Sequence, residues 1–222
     1  PEEFNRQAVG LFAHAHFAPT EGSKAALISE GYNKNVFVTG NTGIDALFWV
    51  KQKIEASDEI KKNIEEKFRF LDPSKKLILT TVHRRESFGE PMENVLKGLL
   101  NLSQREDVQI LFPMHLNPQV RASAQKILGE NSQWVGANTQ TNFWLCEPLD
   151  YISFVYIMSK SHLIITDSGG VQEEAPSLGV PVLVARENTE RPEAIQAGTS
   201  KFISLHSEKF TQEATEVLDT PA

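Results

Sequence analysis

Short apolar runs alternate with helical segments over most of the chain, and this alternation constrains the fold more than any other feature. Runs such as Leu77-Ile78-Leu79 and Leu163-Ile164-Ile165 are continuous, without polar residues at every second position. Such strands are typical of a parallel sheet that helices cover on both faces. The pattern therefore predicts an α/β fold with a doubly wound parallel sheet, with strands at 76–82, 108–113, 143–147, 163–167 and 181–185 and helices at 92–102, 118–128, 151–159 and 171–178.

The first part of the chain is organised differently. Its pattern predicts helices at 3–15 and 21–30, a short extended piece at 16–20 and a strand at 35–40. From Asp45 to about Arg69 the chain is charged, and its isoleucines at 54, 60 and 64 are widely spaced, which indicates a solvated connecting helix. We place a domain boundary near Asn41, so that residues 1–41 and 42–222 form separate domains.

Charge and cysteine content exclude several classes of protein. The formal net charge of the 222 residues is -7, so no diffuse basic surface is available for a nucleic acid or an anionic membrane. An anionic ligand must then be bound at a local site. The single cysteine, Cys146, excludes an internal disulfide and is typical of a reducing compartment. No apolar stretch approaches the roughly 18 residues of a membrane span, and we expect a cytoplasmic protein.

The segment Thr166-Asp167-Ser168-Gly169-Gly170-Val171-Gln172-Glu173-Glu174 follows a predicted strand and begins a helix. Two glycines allow close approach of the backbone to a ligand, and the N–H groups of a helix start favour phosphate. The Ser168 hydroxyl can add a donor, and Glu174 lies one turn into the helix, where it can accept hydrogen bonds from sugar hydroxyls. The structural alternative is a tight turn with Ser168 or Asp167 as N-cap.

Other strand exits are also polar. His83-Arg84-Arg85-Glu86 is a compact cationic cluster in an acidic protein, although a solvated, salt-bridged turn is the alternative. His115 and Phe154 follow two further strands. Considered without the other segments, His115 would be interpreted as a structural residue and Phe154 as part of the core. Residues 186–193 place five ionisable groups after the last predicted strand. Because parallel sheets bind ligands beyond the carboxyl ends of their strands, these exits predict one site.

These segments together resemble the non-hydrolysing UDP-N-acetylglucosamine 2-epimerases. The resemblance covers nearly the whole chain in the family's order, at residues 1–6, 16–21, 39–47, 83–89, 115–118, 147–151, 166–179 and 189–194. It implies one half of a GT-B-type architecture, in which two Rossmann-like domains face each other, with residues 1–41 as a remnant of the N-terminal domain. It also implies an isomerase that interconverts UDP-GlcNAc and UDP-ManNAc for polysaccharide biosynthesis, by elimination and re-addition of UDP, with no metal or other cofactor.

The resemblance implies a role for each matching residue. The diphosphate and ribose of UDP would be held by Ser168, Gly169, Gly170 and Glu174. Phe154 would lie by the uracil, and Arg6 would face the phosphates. His83 would assist the departure of UDP, and Glu2 matches a carboxylate of the acid/base set. Arg84 and His115 resemble positions of a regulatory UDP-GlcNAc site.

Most of the family's N-terminal domain, including two further catalytic carboxylates, has no counterpart in this sequence. We therefore expect a chain cut from a longer protein, a homodimer when complete, that binds UDP but is inactive alone. Two alternatives stay open. One is a UDP-sugar-dependent glycosyltransferase of the same architecture, and the other is a non-catalytic nucleotide-binding module.

Overall fold

The structure is a computed structural model that describes residues 2–84, 87–136, 141–186, 194–195 and 197–220. The chain divides into two compact units, Pro1–Trp49 and Val50–Ala222. Helix α3 (Thr42–Glu55) runs across this division, which therefore lies beyond the boundary predicted near Asn41. Within the described ranges, no helix has the length and apolar character that crossing a membrane would require.

The first unit contains a small parallel sheet. Its elements before α3 are α1 (Glu2–Phe12), β1 (His16–Ala18), α2 (Glu21–Ser29) and β2 (Val36–Val38). Strands β1 and β2 pair in parallel, with Phe17 opposite Phe37. The two rings stack at a centroid distance of 6.0 Å and both are exposed. A two-stranded parallel sheet with an exposed aromatic pair has too little covered surface to be stable without further packing.

The second unit confirms the predicted doubly wound α/β fold. After α3 its elements are α4 (Asp58–Lys67), β3 (Lys76–Thr81), α5 (Glu90–Leu102), β4 (Val108–Pro113), α6 (Pro118–Leu128), a 3-10 turn (Gly129–Asn131), β5 (Gln133–Trp134), β6 (Phe143–Cys146), α7 (Tyr151–Lys160), β7 (Leu163–Thr166), α8 (Gly169–Ser177), β8 (Val182–Val184), β9 (Ser200–Phe202) and α9 (Ser207–Asp219). The strands form one sheet in the order β5-β6-β4-β3-β7-β8-β9, and every pairing is parallel.

The strand order reverses between β3 and β7. From β3 the chain adds β4, β6 and β5 on one side, and then returns to add β7, β8 and β9 on the other. The helices that follow β3 and β7 therefore depart to opposite sides of the sheet. This separation opens a crevice at the carboxyl ends of the two strands, where doubly wound proteins bind their ligands.

Both faces of the large sheet are buried, which explains the continuous apolar runs. On one face, Ile78, Ile110 and Phe112 belong to a core that includes Leu99 of α5, Val120 of α6 and Phe210 of α9. On the other face, Leu79, Leu111 and Ile164 have no exposed surface. Helix α7 contacts β3, and α8 contacts β7 and β8.

Three details correct or extend the sequence interpretation. The predicted connecting helix is two helices, because Ser57 accepts a hydrogen bond from Ile60 N–H (3.3 Å) and starts α4. It is also not fully solvated, since Ile54 and Ile64 are buried. Strands β5 and β9 were not predicted; they have only two and three residues, too few for a periodic pattern to be seen.

Candidate functional site

The candidate site is a cavity of about 260 Å³ at the carboxyl ends of the central strands. It is formed entirely by the second unit, from the exits of β3, β4, β6 and β7, and is lined by Thr81, Val82, His83, Pro113, His115, Pro148, Leu149, Phe154, Ser168 and Val171. Helices α5, α6, α7 and α8 all begin after these strands, so their positive dipole ends lie at this edge of the sheet. Four residues named from the sequence, His83, His115, Phe154 and Ser168, thus lie together.

The turn from β7 to α8 presents backbone donors. Ser168 has the extended conformation of an N-cap residue, but its hydroxyl does not cap α8. Instead its own N–H donates to Thr166 Oγ1 (2.9 Å), which fixes the turn. The first bond of the helix runs from Gln172 N–H to Ser168 O, so the N–H groups of Gly169, Gly170 and Val171 precede it. The structural alternative, a side-chain N-cap at this turn, is therefore wrong for Ser168.

Gly170 is exposed at the start of this helix. A methyl group built on Gly170 would meet no other atom of the chain within 4 Å, and its φ is not in the left-handed region. Neither packing nor backbone conformation therefore requires glycine here. The space beside Gly170 is open, which leaves room for a ligand to approach its backbone closely.

Asp167 joins the exits of β3 and β7, a role that differs from the N-cap expected as one alternative for this residue. Its side chain has no exposed surface, and Oδ2 accepts the backbone N–H groups of His83 (2.8 Å) and Arg84 (2.7 Å). His83 Nδ1 lies 3.3 Å from Oδ1. Burial raises the pKa of Asp167, while the N–H of Arg84 and the charge of His83 oppose the rise. Its signal in the sequence is an acidic residue directly after a buried strand.

His115 lies against His83 in the same cavity. The two rings stack at a centroid distance of 5.1 Å with an angle of 11° between their planes. His115 Nδ1 accepts the N–H of Asn117 (3.1 Å), and Asn117 in turn caps α6 by accepting from Gln119 N–H (2.9 Å). The structure thus places His115, expected at a regulatory site, in contact with His83, expected at the catalytic site.

Of the two residues expected at the nucleoside, Phe154 lines the cavity and Glu174 does not. Phe154 is half-buried and lines the cavity, so it is not simply part of the core. Glu174 lies one turn beyond Val171 on α8 and accepts a hydrogen bond from the Tyr151 hydroxyl (3.1 Å). Burial raises the pKa of Glu174, and the pKa of Tyr151 rises to about 12 because of burial and the nearby Glu174 charge. Glu174 is therefore not one of the lining residues of the cavity, and one of its acceptor positions is occupied.

The start of α7 is fixed by Asp150. Its carboxylate accepts the N–H of Ser153 (2.8 Å) as an N-cap and also binds Lys67 Nζ (2.8 Å). Burial acts to raise the pKa of Asp150, but the bonds from Lys67 and Ser153 outweigh it, so the pKa lies below its usual range. This capping positions the preceding Pro148-Leu149 wall of the cavity.

The remaining predicted residues lie elsewhere. Glu2 and Arg6 are on α1 of the first unit, and their roles stay predictions. The Arg6 guanidinium donates to Glu3 (2.6 Å) and Glu30 (2.7 Å) within that unit, and these bonds raise its pKa. Two predicted groups, residues 85–86 of the cationic cluster and 187–193 after β8, fall outside the described residues.

The parallel sheet and the cavity at its switch point define a Rossmann-like domain, the expected half of a GT-B-type architecture. The family model for UDP-N-acetylglucosamine 2-epimerase matches residues 1–222, and the chain belongs to this family. The UDP-N-acetylglucosamine 2-epimerase of Salmonella typhimurium is 47% identical over 220 residues, which are 98% of this chain and 56% of that protein.

Two solved structures extend the comparison. The UDP-GlcNAc 2-epimerase of Neisseria meningitidis, bound to UDP-GlcNAc, has a TM-score of 0.87 and 44% identity, and the match covers 100% of this chain and 57% of that one. The enzyme of Methanocaldococcus jannaschii, in complex with UDP-GlcNAc and UDP, has a TM-score of 0.79 and 30% identity, with coverage of 100% and 59%. The chain thus spans just over half the length of these relatives.

Proposed function

We propose that the cavity binds the UDP part of UDP-GlcNAc, and that the whole protein interconverts UDP-GlcNAc and UDP-ManNAc. The observation that carries the proposal is the β7–α8 turn, where the Ser168 hydroxyl and the first N–H groups of α8 lie at the cavity. A diphosphate at this position would meet both the helix dipole and several donors. Gly169 and Gly170 permit its close approach to the backbone.

The nucleoside would occupy the side of the cavity formed by α7 and α8. We assign the uracil to Phe154, which lines the cavity. The face of an aromatic ring provides an apolar surface on which a base can stack. We assign the ribose hydroxyls to Glu174. Its carboxylate holds one hydrogen bond from Tyr151 and can accept more. A carboxylate there favours a sugar over a second phosphate, because it repels the latter.

His83 would act at the leaving diphosphate. In the proposed reaction a base removes the C2 proton while the C1–O bond breaks, so that UDP leaves with the bonding electrons and a 2-acetamidoglucal forms. Re-addition of UDP, with a proton returned to the other face of C2, gives the epimer. A proton donor at His83 would stabilise the charge that develops on UDP. We assign Glu2 to the acid/base set and Arg6 to the phosphates. To bind a phosphate, Arg6 would give up its present ion pairs with Glu3 and Glu30.

We further propose that the first unit belongs to a second Rossmann-like domain. Its exposed apolar side chains are consistent with a sheet that continues beyond two strands; they include Phe4, Leu11, Phe12, Phe17 and Phe37. The chain alone would then lack part of the acid/base set, and would bind UDP without epimerising it. The regulatory role of Arg84 and His115, the homodimer and the cytoplasmic location stay predictions.

Calorimetry with the purified chain tests the proposed site. UDP and pyrophosphate should both bind, and Ser168→Ala should weaken both, because it removes a donor to the diphosphate. Ser177→Ala is the matched control; its hydroxyl donates to Glu173 O at the other end of α8 and should leave both affinities unchanged. Absence of UDP binding, or equal losses in the two variants, would contradict the site. Proton NMR with UDP-GlcNAc should show no turnover by the chain alone.

A further inference from the structure

The carboxylate of Asp167 is placed to act on two parts of His83 at once. Oδ2 accepts the backbone N–H groups of His83 and Arg84, while the N–H of Asp167 donates to Thr81 O (3.1 Å). These three bonds tie the exit of β3 to the exit of β7, although the residues are more than 80 positions apart in the chain. The backbone of His83 is therefore fixed against the cavity.

The second oxygen of Asp167 faces the imidazole. Oδ1 is fully buried and has no hydrogen-bond partner among the residues that the structure describes, and His83 Nδ1 is 3.3 Å away. A buried carboxylate oxygen without a donor is unfavourable, so a proton on Nδ1, directed at Oδ1, is favoured. The hydrogen bond at one imidazole nitrogen determines what the other nitrogen can do. With Nδ1 protonated, any proton exchanged with a ligand is on Nε2.

We propose that Asp167 is a positioning residue that holds a proton on Nδ1 of His83, so that an anion in the cavity binds a doubly protonated imidazolium. The inference rests on the proposed function for the identity of that anion, a diphosphate. His115 supports the assignment. Its Nδ1 accepts the N–H of Asn117, so this nitrogen is used as an acceptor and not as a donor. A neutral ring can stack on a cationic one, whereas two cations at this distance would repel each other.

Asp167→Asn separates the imidazole contact from the backbone contacts. The two backbone N–H groups require an oxygen at the Oδ2 position, so the amide NH₂ takes the Oδ1 position and faces His83 Nδ1. There it donates, and Nδ1 must become the acceptor. The variant thus keeps the tie between the strands but reverses the hydrogen bond to the ring.

The test is nitrogen-15 NMR of the histidine side chains in the 222-residue chain. The signals of His83, one of six histidines, are assigned by their loss in His83→Gln. Without ligand, Nδ1 should carry a proton in the wild type and none in Asp167→Asn. With UDP, both ring nitrogens should be protonated in the wild type but only Nε2 in the variant. Affinities for UDP and pyrophosphate should each fall about tenfold, because a charged donor is replaced by a neutral one.

The outcomes separate the inference from the proposed function. The same protonation of His83 Nδ1 in the wild type and the variant would overturn the inference and leave Asp167 as a backbone clamp only. An unprotonated Nδ1 in the wild type would overturn it even if the variant did not fold. If UDP does not bind, the proposed function fails, while the comparison without ligand still decides the role of Asp167.

Discussion

Glu174→Gln should distinguish recognition of the ribose from recognition of the diphosphate. The Tyr151 hydroxyl occupies one acceptor position of the Glu174 carboxylate, which has about four, so two ribose hydroxyls can still bind. The substitution keeps the size of the side chain and one acceptor oxygen but removes the charge. UDP should therefore bind more weakly, whereas pyrophosphate, which lacks hydroxyls, should not.

The magnitude follows from the change of acceptor. A hydrogen bond to a charged group contributes about 1.5–3 kcal/mol and one to a neutral group about 0.5–1.5 kcal/mol. The loss is then about 1 kcal/mol for each hydroxyl and about 2 kcal/mol for the ribose, which corresponds to roughly a 30-fold higher Kd for UDP. For 2′-deoxy-UDP the substitution should cost about half of that free energy. Pyrophosphate should bind equally well or more tightly, because a like charge has been removed.

Calorimetry with the three ligands at constant ionic strength measures these differences. Glu173→Gln is the control, because it makes the same change of net charge one position earlier on α8. The pKa of Glu174 is raised by burial, so the preference for UDP over pyrophosphate should fall with decreasing pH, starting above the ordinary glutamate pKa of about 4.3. Equal weakening of UDP and pyrophosphate would refute the ribose assignment.

Three further changes test the site and its support. Gly170→Ala should lower UDP and pyrophosphate affinity at least about tenfold without loss of thermal stability, because its methyl group fills only ligand space. Gly98→Ala should do the opposite: its methyl group overlaps the Phe210 ring, and the overpacking costs about 1–3 kcal/mol of unfolding free energy in urea titration while UDP affinity is kept. Asp150→Asn keeps the N-cap but removes the charge that pairs with Lys67. Because the pKa of Asp150 is lowered in the folded state, its stabilisation is present above about pH 3.9 and lost below it. The stability difference between the variant and wild type, a few tenths of a kcal/mol to about 1 kcal/mol at pH 7, should shrink progressively as the pH falls below about 3.9; a difference independent of pH would contradict this.

The central strands could be predicted from the sequence because burial on both faces makes them continuous apolar runs. Strands β3, β4, β6 and β7 begin and end within one residue of the predicted bounds. Strands at the edges of the sheet are different. Strand β9, with only Ser200–Phe202, contributes one apolar side chain, and its position is set by pairing with β8. No local pattern marks such a strand.

The connecting segment shows a second limit of pattern analysis. Widely spaced isoleucines indicate solvent exposure only if nothing else covers them. Ile54 and Ile64 lie on two different helices, separated at Ser57, and both are buried. The break itself had a local signal, a serine followed three residues later by an N–H that it caps. The burial of Ile54 and Ile64 had no local signal, because it depends on packing within the second unit.

The candidate site combines residues that local motifs indicate with one contact that only the strand order creates. Ser168 and His83 each follow an apolar strand, and this position alone marks them as candidates. Their proximity requires that β3 and β7 be neighbours, which cannot be derived from two segments so far apart in the chain. Asp167 depends on the same pairing. As a lone acid before the proposed phosphate-binding turn it would oppose an anion, but beside the backbone N–H groups and imidazole of His83 it is placed to stabilise a protonated ring. The sign of its effect on a bound diphosphate is therefore set by the topology of the sheet, and for this reason we place the decisive experiment at Asp167 and not at the glycines.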